Sequence, residues 1–312
     1  MKKVLITGAS GMVGKRLTEL LLAKGCRVNT LSRSAILNPN SQIMYYQWDV
    51  EKGTIDSAAF DGVDAIIHLA GAGVADERWT EKRKREIRDS RVDSTRLLFQ
   101  FLKENKHSVR TIVSASAVGY YGDGGEEEIL ETRKPAATFL ANVCVDWEKE
   151  VQQFYSLDIR HVQCRIGIVL SKNGGALPAL TKTFPLGVTG YFSKSPLYYP
   201  WIHLDDVCGI FMHAHENETM QGAYNTTAPT PVSIRELLQE IVRAKKSNAL
   251  LVPIPSVALK LLLGEMADML LSSQRCSAQK ILEAGYRFKF EKIQAALSEI
   301  YGGTQPPKNV FD

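Results

Sequence analysis

The sequence predicts an α/β fold: a doubly wound parallel sheet followed by a smaller, mostly helical C-terminal domain. Three observations support this prediction. Short apolar runs alternate with segments of helical periodicity through the first half of the 312 residues, the pattern of buried strands covered by helices on both faces. A glycine-rich turn joins the first apolar run to the first helical segment. Beyond residue 170 the order changes, and a mostly helical pattern extends towards the C-terminus.

The predicted strands are short apolar runs without helical periodicity. They are Val4–Thr7, Arg27–Leu31, Gln42–Trp48, Ala65–Leu69, Thr111–Ser116 and His161–Val169, with a return to the sheet at Tyr224–Ala228. The predicted helices are Lys15–Lys24, Glu81–Glu104 and Val143–Tyr155. We therefore expect a first domain over residues 1–170, with sheet returns at about 200–228. The smaller domain is expected over residues 171–199 and 229–312.

Composition excludes several classes of protein. The net charge of +4 is too small to indicate a nucleic-acid or membrane partner, and Lys82–Arg91 alternates with acids as a solvated helix face does. Five scattered cysteines without a C-x-x-C pair predict reduced thiols in a cytoplasmic protein. The sequence starts with a strand pattern rather than a signal peptide. No metal site is predicted, because His213 and His215 lie only two residues apart.

The glycine-rich turn has the features of a dinucleotide-binding site. Its residues are Thr7, Gly8, Ser10, Gly11, Met12, Val13 and Gly14. Gly8 permits a tight turn, Gly11 lets the backbone approach a pyrophosphate, and Gly14 lets helix and strand pack closely. The helix that follows offers unpaired N–H groups and a partial positive charge to the phosphates. A purely structural turn is the alternative.

The end of the second strand predicts NADP(H) rather than NAD(H). NAD-binding chains place an acidic residue about 20 residues beyond the glycine turn, where it binds the ribose 2′-hydroxyl. Here the strand ends in Ser32 and Arg33 without an acid. A guanidinium pairs bidentately with a phosphate, and a hydroxyl donates to one. A solvent-facing arginine is the alternative.

The G-x-x-G-x-x-G spacing, led by Thr-Gly, resembles that of the extended short-chain dehydrogenase/reductases. Further segments resemble an atypical bacterial and mitochondrial branch, the NAD-dependent epimerase/dehydratase-like proteins. They are Gly71–Arg96, Ser114–Gly125, Phe139–Glu150, Trp201–Val207 and Leu262–Arg275. The resemblance covers essentially the whole chain. It implies that the first domain is a Rossmann domain and that the smaller domain binds the substrate. It also implies a small, polar, nucleotide-sugar-like substrate bound between the domains.

The resemblance also implies further cofactor contacts. Family positions near the adenine, the ribose and the nicotinamide correspond here to Asp49, Val50, Leu69, Ala70, Gly71, Ser114, Ala115, Arg165 and Gly167. At Arg165 and Gly167 it is the backbone that passes the nicotinamide carboxamide. Family members pair through two helices, so Glu81–Glu104 is a candidate helix for a homodimer.

The usual catalytic pair is missing. Typical family members transfer a proton with a Tyr-x-x-x-Lys motif, but no tyrosine in this sequence has a lysine four residues later. Leu140 and Cys144 occupy the expected positions, and Cys144 is interpreted as a small core residue or a reactive thiol. Ser116 matches the family serine, within one residue. Tyr120 and Tyr121 are candidate replacement acids or bases, unless one packs and the other stacks on the substrate.

Three further residues are candidate substrate contacts. Trp79 follows the fourth of the parallel strands on a loop, where its indole suits closure over a ring; the alternative is a core residue at the start of a helix. Trp201 and His203 belong to WIHLDDV, which resembles the segment lining the substrate entrance of sugar-nucleotide enzymes. A structural role for His203 is the alternative.

Two functions remain open from the sequence. The first is an NADP(H)-dependent oxidoreductase, with or without epimerisation, in which Ser116 orients a substrate oxygen and Tyr120 or Tyr121 handles the proton. The second is a non-catalytic NADP(H)-binding redox sensor. An intact cofactor motif without the Tyr-x-x-x-Lys pair is what a sensor would show, whereas the retained WIHLDDV segment and aromatic residues favour the enzyme.

Overall fold

The computed structural model describes residues 2–33, 42–172, 174–192 and 196–302. Over these residues the strands are β1 (Lys3–Thr7), β2 (Arg27–Ser32), β3 (Ile43–Asp49), β4 (Thr54–Ile55), β5 (Ala65–His68), β6 (Thr111–Ala117), β7 (Glu128–Ile129), β8 (Arg160–Ile166), β9 (Ile168–Ser171), β10 (Gly174–Gly175), β11 (Val188–Phe192), β12 (Tyr198–Tyr199), β13 (Trp201–His203), β14 (Gly222–Thr226), β15 (Val232–Ser233), β16 (Leu250–Ile254) and β17 (Arg275–Cys276).

The helices over the same residues flank these strands. They are α1 (Met12–Ala23), α2 (Glu81–Glu104), α3 (Phe139–Gln152), α4 (Leu177–Leu180), α5 (Leu204–Glu216), α6 (Ile234–Ala244), α7 (Ser256–Leu263), α8 (Met266–Leu271), α9 (Gln279–Glu283) and α10 (Ile293–Gly302). None of these helices is long and apolar enough to cross a membrane.

The predicted doubly wound sheet is confirmed. Within the described residues, eight strands are ordered β14-β8-β6-β5-β1-β2-β3-β4. The pairs β1–β2, β1–β5, β2–β3 and β5–β6 are parallel, and the short β4 runs antiparallel to β3. The strand order reverses between β1 and β5, and ligands of such sheets bind at the carboxyl ends of the strands beside this reversal.

The strands form where the sequence offers a continuous apolar run. Val4, Leu5 and Ile6 are fully buried in β1, and Ile66 and Ile67 are fully buried in β5. Strands buried on both faces need apolar side chains on both, which explains why these runs do not alternate with polar residues. The start of α2 is set by Thr80, whose side chain accepts a hydrogen bond from the backbone N–H of Arg83 at 3.1 Å.

The run predicted as one strand over His161–Val169 is divided into β8 and β9. Gly167 separates them, and a side chain there would overlap the carbonyl oxygen of Pro200. The backbone N–H of Gly167 donates to Thr226, while that of Ile168 donates to Pro200. The glycine is therefore required by close backbone packing.

The chain forms two compact units. Unit 1 comprises Met1–Ala117, Asn142–Arg165 and Cys208–Tyr224; unit 2 comprises Val118–Ala141, Ile166–Val207 and Asn225–Asp312. Residues 118–141 thus cluster with unit 2, whereas the sequence analysis placed them in the first domain. Residues 303–312 of the expected smaller domain lie outside the described residues.

Unit 2 has its own apolar core. Its buried residues include Trp201, Leu237, Leu238, Ile241 and Ala296. The helix α6 begins with a capping box, in which the Ser233 side chain accepts from the Glu236 backbone and the Glu236 side chain accepts from the Ser233 backbone. Short two- and three-stranded sheets, including parallel β11–β16, complete the unit.

Candidate functional site

The glycine turn leaves the N-terminus of α1 open. Gly8 has φ +70°, and its carbonyl accepts a hydrogen bond from the backbone N–H of Gly11 at 3.1 Å. Gly11 is the N-cap residue and supplies no side chain to the helix, whose first turn has no acidic residue. Unpaired N–H groups therefore meet solvent at this end, which is the usual geometry of a phosphate-binding helix terminus.

The three glycines have different steric roles. A Cβ at Gly8 would lie 2.7 Å from the Leu69 carbonyl carbon, and a Cβ at Gly14 would lie 2.7 Å from the Ala9 Cα. At Gly11 the nearest atom would be the Gly8 oxygen at 3.3 Å, and the residue is exposed. Gly8 and Gly14 are thus needed for packing, whereas Gly11 leaves open the space that a phosphate would fill. Ser10 is exposed, and Met12 and Val13 are half-buried at the start of α1.

Thr7 holds the neighbouring turn in place. Its Oγ1 accepts hydrogen bonds from the backbone N–H groups of Leu69 and Ala70, both at 3.2 Å. It also lies 2.7 Å from His68 Nδ1 and is fully buried. The side chain of Thr7 therefore shapes the loop that begins at Leu69, and the predicted cofactor contact at this position remains a prediction.

The predicted ribose site lies at the ends of β2 and β3. Ser32 is the last residue of β2 and is half-buried, and Arg33 follows it with an exposed side chain. Asp49 ends β3, where the Lys52 backbone N–H and ammonium both bind its carboxylate at 3.0 Å. Hydrogen bonding from Lys52 lowers the Asp49 pKa. The adjacent Val50 is half-buried.

A buried ion pair lies behind the end of β6. Both nitrogens Nε and Nη2 of Arg165 donate to the Glu148 carboxylate at 2.8 Å, and each side chain is 5% exposed. Ser116 Oγ donates to Glu148 Oε1 at 2.6 Å. Bidentate geometry of this kind fixes all three side chains. Ser114, Ala115 and Ser116 are themselves buried.

This network restricts what Ser116 and Arg165 can do. The hydroxyl proton of Ser116 is given to a carboxylate, so its remaining hydrogen-bonding capacity is that of an acceptor. The guanidinium of Arg165 is directed at Glu148, and the cofactor contact predicted at this position is one of its backbone. Sequence reasoning did not identify this role of Glu148; a glutamate on the buried face of a helix is the signal that indicates it.

The residues in place of the usual Tyr and Lys share a face of α3. Cys144 is 4% exposed and its thiol donates to the Ala117 carbonyl at 3.6 Å. Burial, followed by the negative charge of Glu148, raises the Cys144 pKa to about 11. The thiol is therefore neutral near pH 7, as expected for a small core residue. The half-buried Leu140 lies against Gly119.

The two candidate tyrosines differ in burial. They belong to the single turn Val118–Tyr121 that follows β6, and their rings meet edge to face at 5.3 Å. Tyr121 is 1% exposed, and its hydroxyl donates to Asn225 Oδ1 at 2.6 Å. Tyr120 is half-buried. Of the two phenols, Tyr120 is the less buried.

The predicted substrate contacts make local hydrogen bonds. The Trp79 indole N–H donates to the Val74 carbonyl at 2.9 Å and closes its own loop. Trp201 is 1% exposed in the core of unit 2 and donates to Thr230 at 3.0 Å. His203 Nδ1 accepts from the Asp205 backbone N–H, so Nε2 carries the proton and donates to Glu299 Oε2 at 3.1 Å. Burial lowers the His203 pKa. Trp201 and His203 thus have structural partners in unit 2.

The helix α2 contributes two residues that sequence reasoning placed on a solvated face. Arg83 is 7% exposed and Arg91 is half-buried. Arg83 lies four residues before the buried Ile87, and Arg91 lies four residues after it. That spacing is the signal that could have identified them, since residues four apart share a helix face.

His68 is a buried neutral histidine at the end of β5. Thr95 gives its hydroxyl proton to the Arg91 carbonyl, so it accepts from His68 Nε2 at 2.9 Å. Nδ1 then accepts from Thr7. Burial, followed by the charge of Arg91, lowers the His68 pKa to about 3.

No cluster of His, Cys, Asp and Glu that could hold a metal ion occurs in the part of the chain that the structure describes. The five cysteines are free thiols, and all except the half-buried Cys26 are buried.

Comparison with known proteins shows which family the chain resembles along its length. Residues 4–153 match the NAD dependent epimerase/dehydratase family, and residues 254–300 match a domain of unknown function, DUF1731. The epimerase family protein YfhF of Bacillus subtilis is 32% identical over 298 residues, covering 95% of this chain and 97% of that protein. The epimerase family protein SSP1921 of Staphylococcus saprophyticus is 30% identical, covering 96% and 99%.

Solved structures have the same fold. The human epimerase family protein SDR39U1 (isoform 2), crystallised with NADPH, superposes with a TM-score of 0.83 at 29% identity, covering 97% of this chain and 100% of that chain. A nucleoside-diphosphate sugar epimerase from Corynebacterium glutamicum has a TM-score of 0.77 at 30% identity, covering 98% of this chain and 59% of that chain.

Proposed function

This chain belongs to the epimerase family, and we propose that it is an NADP(H)-dependent oxidoreductase acting on a small polar, nucleotide-sugar-like substrate. The observation that carries the proposal is the exposed, uncapped N-terminus of α1 at Gly11. A helix terminus of this kind binds phosphate through its free N–H groups. The residues at this end of the sheet fit the diphosphate of a dinucleotide.

The preference for NADP(H) rests on Ser32 and Arg33. Ser32 is the last residue of β2, and Arg33 follows it with an exposed side chain. NAD-binding chains have an acidic residue at this position, whereas this chain has a hydroxyl and a guanidinium. A 2′-phosphate fits this pair because an arginine and a hydroxyl both donate to phosphate oxygens. The human relative solved with NADPH gives further support.

Ser116 and Tyr120 are the groups proposed to act on the substrate. NADP(H), when bound, supplies or accepts the hydride. Ser116, with its proton committed to Glu148, accepts a hydrogen bond from a substrate hydroxyl that does not react, and so orients the substrate. Tyr120, four residues further along the chain, gives or takes the proton of the reacting hydroxyl. Cys144 remains a neutral thiol and takes no part in this transfer.

A cofactor titration followed by a substrate screen tests the proposal. Fluorescence titration with NADPH should reveal saturable binding. The NADPH-saturated protein is then screened against a pool of nucleotide sugars for thermal stabilisation, because a ligand that binds only the folded chain raises its melting temperature. Stabilising compounds with a carbonyl should oxidise bound NADPH, and those with only hydroxyls should reduce NADP⁺ when it replaces NADPH. If none does, and the redox state of the cofactor instead changes binding to a protein partner, the redox-sensor function replaces the enzyme.

A further inference from the structure

Arg91 differs from the other buried or paired arginines of α2. Arg83 binds Glu86 at 2.8 Å, Arg88 binds Asp146 at 2.8 Å and Arg96 binds Glu150 at 2.6 Å. Among the described residues, no carboxylate pairs with Arg91, whose Nη1 donates to the Ile87 carbonyl of its own helix at 2.7 Å. A positive charge taken partly out of water without a negative partner is unfavourable, so this side chain needs an explanation.

The guanidinium lies at the ligand-binding end of the sheet. Its central carbon is 5.3 Å from the centre of the Trp147 ring, a cation–π distance. On another side it lies against Gly71, where a Cβ would be only 3.0 Å away. Gly71 follows the carboxyl end of β5 and is exposed. A side chain at residue 71 would displace the guanidinium, so the loop is shaped around it.

The neighbouring groups supply no compensating negative charge. The Cys144 thiol is neutral near pH 7 because burial raises its pKa to about 11. His68 is neutral: its Nε2–H donates to Thr95 and its Nδ1 accepts from Thr7. Glu148 is bound by Arg165 through two hydrogen bonds. The Trp147 indole nitrogen is buried and has no acceptor among the described residues.

A role for Arg91 in holding the loop does not explain this arrangement. The loop after β5 is held by other residues of α2: Ser90 Oγ accepts from the Ala72 backbone at 3.0 Å, and Arg83 donates to the Gly73 carbonyl at 2.6 Å. Arg91 packs against the loop without a hydrogen bond to it.

We propose that Arg91 binds the acid group of a small-molecule ligand, a phosphate or a carboxylate, beside Gly71. The ligand supplies the negative charge that the protein lacks at this point, and the planar guanidinium can hold two of its oxygens at once. The acid belongs either to the diphosphate of the cofactor or to the substrate. This assignment rests on the proposed function and extends it, because it requires a substrate or cofactor with an anionic group at this position.

The test compares two variants of Arg91 with a control on the same helix. Arg91→Met removes the charge and keeps an apolar stem against Trp147, while Arg91→Lys keeps the charge and loses the planar fork. Arg85→Met is the control, because Arg85 lies on α2 with an exposed side chain. Circular dichroism and thermal melting establish that each variant is folded.

Two binding measurements identify the source of the acid. Calorimetry measures NADPH affinity, and thermal shift measures stabilisation of the NADPH-saturated protein by inorganic phosphate and by malonate. A loss of NADPH affinity of about 10- to 150-fold in Arg91→Met, smaller in Arg91→Lys and absent in Arg85→Met, assigns the site to the cofactor diphosphate. Unchanged NADPH affinity with loss of the phosphate or malonate stabilisation assigns it to a substrate acid.

The proposal is overturned if both measurements are the same in the native protein and in every folded Arg91 variant. Should Arg91→Met fail to fold, Arg91→Lys decides the matter by the same two measurements. If the native protein binds no NADPH, the proposed function fails, and stabilisation of the cofactor-free protein by phosphate or malonate then tests Arg91 alone.

Discussion

At the residue scale, the two neighbouring tyrosines illustrate how burial separates roles that the sequence leaves equal. Both follow Ser116 closely along the chain, and either phenol fits a proton-transfer role by sequence. The hydroxyl of Tyr121 is engaged by Asn225, whose amide nitrogen in turn donates to the carbonyls of Ile129 and Ser277 at 3.1 Å. Because these three polar contacts of the Asn225 amide are hydrogen bonds in a buried site, they fix the position of the Tyr121 hydroxyl. Tyr120 is the less buried of the two, and the proposed function assigns the proton transfer to it.

Replacing each tyrosine by phenylalanine should therefore give different losses. Tyr121→Phe leaves the Asn225 oxygen without its donor in a buried site and should reduce the free energy of unfolding by about 1–3 kcal/mol. Tyr120→Phe should reduce the turnover of an identified substrate by about 10²–10⁴. Urea unfolding and steady-state kinetics measure the two effects. Full turnover in Tyr120→Phe would place the proton transfer on another residue.

Arg33 should discriminate between the two cofactors. Removal of a charge-assisted hydrogen bond to the 2′-phosphate in Arg33→Ala should weaken NADPH binding by roughly 10- to 150-fold. NADH lacks that phosphate, so its affinity should change little. Calorimetry with both cofactors on the same preparation gives the comparison. An equal loss for the two would mean that Arg33 does not bind the 2′-phosphate.

At the element scale, the ion pair between Glu148 and Arg165 joins α3 to β8, and the Ser116 hydroxyl of β6 donates to the same carboxylate. Both side chains are 5% exposed, so removal of one partner leaves an uncompensated buried charge. Replacement of both by apolar residues of similar volume is expected to cost much less. The pair thus gives these elements a fixed arrangement behind Ser116.

The Glu148→Gln variant should be destabilised by about 3–5 kcal/mol, because Arg165 keeps its charge and loses the carboxylate. The double variant with Glu148→Leu and Arg165→Met is the matched control and should recover much of that free energy in urea unfolding. Similar losses in both variants would show that the elements are held by packing rather than by charge pairing.

The elements themselves are largely predictable from sequence. The prediction of Glu81–Glu104 as a helix is confirmed with the same bounds, and Val4–Thr7 is extended by one residue to Lys3. Long apolar runs and helical periodicity determine these elements. The division at Gly167 could not be predicted, because it depends on the carbonyl of Pro200, a residue distant in sequence.

The site is less predictable than the fold. The glycine turn has the geometry expected from its spacing because its form is set by local steric limits. The partners of Arg91, Ser116 and His203 come from other elements, and only tertiary packing determines them. A charged residue in a basic helix, such as Arg91, is solvated in most proteins, so charge pattern alone did not identify it.

At the scale of the whole molecule, buried histidines should make the fold sensitive to acid. His68 has a pKa of about 3 in the folded chain, against an ordinary value of 6.5. Between these values only the unfolded chain binds the proton, so the free energy of unfolding falls as the pH decreases below 6.5. Burial also lowers the pKa values of His161 and His215, so both histidines should contribute to the loss of stability in acid.

Comparison of the native chain with His68→Asn isolates the contribution of His68. The native chain should lose about 2 kcal/mol more than the variant between pH 7 and pH 5, because the variant has no proton to bind at this position. Urea unfolding at the two pH values measures the difference. Parallel losses in the two proteins would show that His68 is not held neutral by the fold.

Binding of NADP(H) at the glycine turn can be measured by calorimetric titration of NADPH into the native chain and into the Gly11→Asp variant. Aspartate is a preferred N-cap residue, and the extended backbone of Gly11 (φ −72°, ψ 170°) accommodates it, so the variant should fold. Its carboxylate would occupy the space of the phosphate and repel it. We predict saturable binding to the native chain and none to the folded variant; equal affinities would show that the glycine turn does not hold the cofactor.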